Sequence, residues 1–277
     1  INYNSGQQCI TTFANNTSTV NSTSNTVYGT YFLYNYNTTM TNNTFNVSGT
    51  TGTCYNPYYM AYYWNAGSVA SNNVFNTSVT TGGAYNYIIN YYTTGTRIVN
   101  NTFNANASGS GTVYSPYYTM YGATASSTSN NTFNATTASG SGTSVYYMNY
   151  NGSSDTVDNN TFNMTAPAGI TSYKYYMVGV NRNNTFNWNV TTGTLNNYFY
   201  YPDGCLFSGN KFNLTSTTGT IYGAYIYGTT SYAGGNFINN VFDARSTSNG
   251  TVYGFYGQYS KDNTFINNIF ANTTAGT

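Results

Sequence analysis

Nine times along the chain a pair of Asn, or a close relative of that pair, stands just ahead of a Phe, and the marker Phe residues recur at steps of 30, 28, 30, 29, 24, 26, 30 and 28. The tag reads Asn-Asn-Thr-Phe-Asn from Asn42, Asn100, Asn130, Asn159 and Asn183, and Asn-Asn-Val-Phe-Asn from Asn72. It then drifts to Gly-Asn-Lys-Phe-Asn at Gly209, Asn-Asn-Val-Phe-Asp at Asn239 and Asn-Asn-Ile-Phe-Ala at Asn267. A fixed period of this length marks a repeat architecture, in which each unit buries its apolar face only against its neighbours. A second tag follows the Phe: Gly-Thr-Cys-Tyr at Gly52, Gly-Gly-Ala-Tyr at Gly82, and Gly-Thr-x-Tyr at Gly111, Gly219 and Gly250. Two tags imply two strands per period, and the remainder has room for a third.

Alternation around the Phe sorts the side chains, because successive strand residues point to opposite faces. Phe45, Phe75, Phe103, Phe133, Phe162, Phe186, Phe212, Phe242 and Phe270 share a face with the Asn two places earlier: Asn43, Asn73, Asn101, Asn131, Asn160, Asn184, Asn210, Asn240 and Asn268. The same face takes Val47, Thr77, Ala105, Ala135, Met164, Trp188, Leu214 and Ala244 two places later. Thr44, Asn46, Thr102, Asn104, Thr132 and Asn134 face the other way. Stacked coils about 4.8 Å apart bring identical side chains into register, so the spacing predicts an internal Phe ladder and an internal Asn ladder. An inward amide is costly alone, but stacked amides can donate to one neighbouring coil and accept from the other. Phe13 is read as marking an irregular first turn.

Pattern, period and residue types resemble the right-handed parallel β-helices of the pectate-lyase-like superfamily. The repeats Asn-Asn-Thr-Phe-Asn, the run from Gly234 (GGNFINNVFD) and the run from Asp262 (DNTFINNIFA) are similar to those of archaeal, notably methanogen, adhesin-like and sheath-like surface proteins. The expectation is an all-β, right-handed parallel β-helix of about ten coils of 24–30 residues with three strands per coil, forming one domain over 1–277 without evident caps.

Composition narrows the function classes. Charged residues make up 4% of the 277, net charge is +1 and His is absent, while Asn numbers 47 and Tyr 34. So neutral a chain lacks the basic footprint that phosphate backbones or anionic lipid require. Histidine chemistry is excluded, and no apolar run approaches the ~20 residues of a membrane span. The absence of an initial Met suggests an exported product freed of its signal peptide.

Tyr recurs through every coil, as at Tyr55, Tyr58 and Tyr59, then Tyr114, Tyr117 and Tyr118. Aliphatics are scarce, so some Tyr are expected in the core; the others form an outward strip suited to lateral subunit contact or to sugar rings. Asn-x-Ser/Thr sequons in the loops make Asn21, Asn37, Asn106, Asn151 and Asn249 candidate N-glycosylation sites. Cys9, Cys54 and Cys205 show no metal-ligand spacing. Cys205 lies some five coils from the others, too far for a disulfide, and reads as a buried thiol or as an intermolecular disulfide between protomers.

Catalysis on polysaccharides would need converging carboxylates. The local pair Asp155 and Asp158, the turn residue Asp203 and the pair Asp243 with Arg245 show no such convergence, so no catalytic, cofactor or metal residue is assigned and the chain is not expected to be an enzyme. The expected role is a structural subunit of an extracellular filament or sheath, self-assembling head to tail through open β-helix ends. A cell-surface adhesin that binds glycans through a Tyr-rich face is the alternative, and a polysaccharide lyase or hydrolase a second one.

Overall fold

A computed structural model describes residues 11–33, 37–65, 67–150, 154–228, 234–259 and 261–275. Among these residues every regular element is a strand, and the strands stack in parallel as a three-sided β-solenoid. The first sheet runs from Thr11–Ala14 to Thr264–Ile266, the second from Thr17–Ser22 to Ile269–Thr274, and the third from Val27–Tyr28 to Val252–Tyr253. Each of the first two has ten strands in chain order, so about nine turns separate the first level from the last. The three strands per coil and the 24–30-residue period expected from the tags are both present.

A fourth, shorter side follows the third sheet, one that the two sequence tags do not mark. Tyr31–Leu33, Tyr59–Tyr62 and Ile88–Tyr91 pair as a small parallel sheet. Single bridges from Ile88 to Tyr118 to Tyr147, and from Tyr91 to Tyr121 to Tyr150, carry it onward. From Gly169–Tyr175 the third sheet lengthens to seven-residue strands and takes over this side.

The tag residues explain the corners. The first Asn of each pair turns the chain between the first and second sheets in the left-handed region, at φ 55° for Asn42, 57° for Asn100 and 56° for Asn130. Asn tolerates that region better than other side chains, and Gly best of all. Gly209, with φ 63°, therefore replaces it without disturbing the coil. The Gly of the second tag answers to crowding: a Cβ on Gly111 would lie 2.0 Å from the carbonyl oxygen of Gly82 one coil earlier.

Inside, the Phe rings face each other from coil to coil. Centroids are 4.9 Å apart for Phe75 and Phe103, 4.7 Å for Phe103 and Phe133, and 4.3 Å for Phe186 and Phe212. Each such pair contributes about 0.5–1.5 kcal/mol beyond its buried area. Thr17–Ser22 pairs in register with Thr44–Gly49, so Ser18 holds the first rung of this column. Phe13 belongs to the first sheet, opposite Met40, and its ring lies 6.0 Å from Phe45, supplying the aromatic contact that Ser18 lacks.

Beside the rings runs the Asn ladder. Each Nδ2 donates to the Oδ1 of the next coil's Asn and to a backbone carbonyl of the preceding coil, as Asn73 does to Asn101 and to Met40, both at 2.9 Å. Backbone N–H groups join in, Asn101 donating to Asn131 Oδ1 at 2.9 Å. The ladder begins one rung earlier than the Phe tag reveals, with Asn16 donating to Asn43 at 2.9 and 3.0 Å.

Candidate functional site

Tyrosine paves the outer surface of the third and fourth sides. No described Tyr is fully buried, which overturns the expectation that part of the set fills the core. The interior is filled instead by Phe, Ala, Val, Ile and Met, by Trp64 and Trp188, and by buried Asn, Ser and Thr, of which the Asn ladder and pairs such as Asn86 with Ser115 bond between coils.

The rings are ordered in columns. Tyr87, Tyr117 and Tyr146 stack at 5.0 and 4.6 Å, Tyr118 and Tyr147 at 4.7 Å, and Tyr91, Tyr121 and Tyr150 at 4.7 and 4.4 Å. Between columns the rings meet edge to face, as Tyr117 does Tyr118 at 70° and Tyr147 does Tyr150 at 81°. The result is a herringbone in which the preferred contact geometries of aromatic rings are met in both directions. Further along, Tyr175 stacks on Tyr200 at 4.8 Å and Tyr222 on Tyr253 at 4.9 Å. Partial burial, reinforced by neighbouring phenols, pushes the hydroxyl of Tyr147 up to about 12, so the surface is neutral at ordinary pH.

The outer face of the second sheet carries a further ladder. Asn76 Nδ2 donates back to Asn46 Oδ1 at 2.8 Å, Asn104 to Asn76 at 2.8 Å, Asn134 to Asn104 at 2.9 Å, and the file continues through Asn163 and Asn187 to Asn213. Alternation placed these residues outward; that they bond to one another was not legible, because outward polar residues are ordinarily satisfied by water. A shallow groove of about 490 Å³ runs beside this file along Asn134, Asn163 and Asn187.

The ionisable groups do not converge. Asp155 is buried at a corner, where its Oδ1 accepts the N–H of Ser126 at 2.7 Å; burial raises its carboxyl to about 6. It is one rung of a corner file in which Ser68 accepts from Thr38 N at 3.1 Å and Ser126 from Thr96 N at 3.2 Å. Asp158 lies on the opposite side of its strand and pairs with Arg182 at 3.0 Å. Asp243 and Arg245 form a surface ion pair, with contacts of 2.8 and 2.6 Å, and Arg245 holds that carboxyl below its usual range. Among the described residues no three His, Cys, Asp or Glu gather to hold a metal ion.

Lys174 is the group that sequence reasoning missed. It is fully buried, its Nζ donating to Asn197 Oδ1 at 2.6 Å and Ser172 Oγ at 2.9 Å, with Phe199 centred 4.6 Å away. Phe186, Trp188 and Phe212 complete the enclosure at 5.2–5.3 Å. Burial drives its amine well below the usual lysine range. The alternation Ser172, Lys174 between Tyr173 and Tyr175 was the available signal, once Tyr is known to face out.

Of the sequon residues, Asn21, Asn106 and Asn249 are exposed and Asn37 is half-buried, while Asn151 lies outside the described residues. Cys54 and Cys205 are buried thiols, and Cys9 lies outside the described residues. Of the two readings of Cys205, the structure shows the buried thiol, and burial pushes that thiol up to about 12. Among the described residues no helix is long and apolar enough to cross a membrane. Compared with protein-family models, curated proteins and solved structures, the chain matches none.

Proposed function

We propose that this protein is an extracellular, adhesin-like rod that holds uncharged glycan on its tyrosine face, in keeping with the archaeal surface proteins its repeats resemble. The observation that supports it is the herringbone of half-exposed Tyr extending over successive coils, with Ser, Thr, Asn, Gly and Gln, and no charged residue, as the other outward residues of those strands. A neutral sugar offers C–H groups on its ring face and hydroxyls around its rim, and a phenol answers both with an apolar ring and a polar tip. A surface without charge selects against anionic polymers, whose binding depends on counterion release. The outer Asn file, with hydrogen-bonding capacity repeated at each coil, suits the same class of ligand.

The test is a glycan array probed with the monomeric chain beside a Tyr87→Ser/Tyr117→Ser variant whose circular dichroism matches the parent. Binding to neutral glycans that resists salt and falls at least about tenfold in the variant, equivalent to about 1.4 kcal/mol, is the expected result. A folded monomer that binds no neutral glycan, or that binds equally after both substitutions, overturns the reading.

A second reading, the head-to-tail filament or sheath subunit, draws on the constant register of the sheets, in which Phe237 pairs with Phe265 and Phe242 with Phe270. A second copy adding coils in the same register would continue both ladders. Light scattering over a concentration series, with electron microscopy of the same material, separates the two: fibres with a ~4.8 Å axial repeat favour the filament, and a persistent monomer removes it.

A further inference from the structure

The tyrosine columns stack rings of separate coils face to face, and this has a chemistry of its own that does not rest on the glycan reading. Tyr118 and Tyr147 are bridged through their backbones, with rings 4.7 Å apart and within 4° of parallel. Tyr121 and Tyr150 are likewise bridged, with rings 4.4 Å apart at 13°. Tyr117 and Tyr146 stack at 4.6 Å and 8°. All six rings are half-exposed, so a reagent in solution can reach them. Each pair joins residues one full coil apart, so a bond between them would tie coil to coil along the axis.

We propose that the tyrosine face is an oxidative cross-linking site, at which phenols of successive coils in one column couple ring to ring into dityrosine when a peroxide and a peroxidase-type one-electron oxidant act on the surface. Each phenol gives up one electron and its hydroxyl proton to become a phenoxyl radical. Two radicals in a column then form a carbon–carbon bond between the positions ortho to oxygen. The two displaced ring hydrogens move to the oxygens as the rings regain aromaticity, restoring both hydroxyls. The net loss is two protons and two electrons per pair, and one hydrogen peroxide takes them up to become two waters. Free tyrosines must meet by diffusion for this step; here the partner is already in contact, the kind of pre-positioning that replaces an encounter with an intramolecular step. Rings across columns meet edge to face, as Tyr117 does Tyr118 at 70°, whereas rings within a column lie nearly parallel, so coupling is expected to run along the rod.

The experiment treats the folded, dilute chain with peroxidase and hydrogen peroxide, follows dityrosine fluorescence, and maps the linked peptides by mass. The expected result is a monomer lighter by two hydrogens per bond, with Tyr118 joined to Tyr147 and Tyr121 to Tyr150, in a yield unchanged on dilution and lost when the chain is first unfolded in guanidinium. A Tyr118→Phe/Tyr121→Phe variant keeps the stacked rings, loses those two links and retains the link between Tyr117 and Tyr146. Links that pair tyrosines without regard to column, that appear only between chains, or that persist unchanged in the unfolded chain overturn the proposal. So does tyrosine oxidation without any link.

Discussion

Asn160 accepts two hydrogen bonds from Asn131 through a single oxygen, the backbone N–H arriving at 2.9 Å and the side-chain Nδ2 at 3.0 Å. Asn131 in turn receives the same pair from Asn101 and donates to the carbonyl of Ile98 at 3.0 Å. Removing one amide therefore strands groups in the coils on both sides of it. Asn131→Leu is expected to cost at least about 3 kcal/mol, since several buried groups lose their partner at once. Asn131→Asp is expected to cost more at neutral pH, because a carboxylate oxygen would face the Ile98 carbonyl and Asn160 Oδ1. Guanidinium unfolding monitored by circular dichroism measures both; a loss below about 1 kcal/mol for Asn131→Leu would show that the ladder does not couple the coils.

Asp155 gives the acid side of the stability profile. Its folded value is about 6 against a reference of 3.8, raised by burial and only partly offset by the Ser126 N–H. A raised folded value means that its contribution is fully present below about 4 and is lost as pH rises through about 6. Asp155→Asn keeps the acceptor for Ser126 and is expected to remove this decline. Midpoints of thermal unfolding between pH 3 and 7, falling in the parent and level in the variant on this account, are the measurement.

The phenols give the alkaline side. Tyr147 and Tyr200 are pushed up to about 12, chiefly by burial and then by neighbouring phenols, against an ordinary 10.0. Stability on this account holds below about 10 and is lost as pH rises through about 12, because each phenolate must leave the packed columns to charge. Titration followed by the ultraviolet absorbance of phenolate is expected to lag that of the guanidinium-unfolded chain, with the solenoid opening in the same window. Superimposable titrations would sink it.

Lys174 works in the opposite sense. Its amine lies below the reference of 10.5 through burial, so the stability it permits is present above that reference and lost as pH falls through the folded value. Lys174→Met fills the ring-lined enclosure with a side chain of similar length that cannot charge. The variant is expected to resist acidification better than the parent, a difference read directly from paired unfolding midpoints.

Much of the fold was legible because the ladders reuse the same residue at the same place. The Phe and Asn columns follow from two-residue alternation and a constant period, and all nine expected Asn occupy the ladder. Asn16 escaped because Ser18 stands where the tag has Phe, so a search keyed to the ring passes over an amide that bonds just as the others do. The tyrosines were misassigned in part for a quantitative reason: counting aliphatics underestimates the core when buried amides and hydroxyls can satisfy one another between coils. Asp155 looked like half of an acidic pair because the sequence places Asp158 three residues away; odd spacing on a strand sends the two to opposite faces. The corner file that Asp155 joins mixes Ser and Asp, which leaves no repeated letter to find.

The two amide ladders on either side of the second sheet point in contrary directions. Inside, each Nδ2 donates toward the following coil, as Asn43 does to Asn73; outside, each donates toward the preceding one, as Asn76 does to Asn46. Every side-chain amide carries a dipole, and a single file of them aligned over this many coils would add up to opposite partial charges at the two ends of the rod. Two opposed files separated by one sheet largely cancel at a distance. The solenoid can thus lengthen by whole coils, as repeat proteins do, without accumulating an axial field that would bias which ions or neighbours gather at its ends.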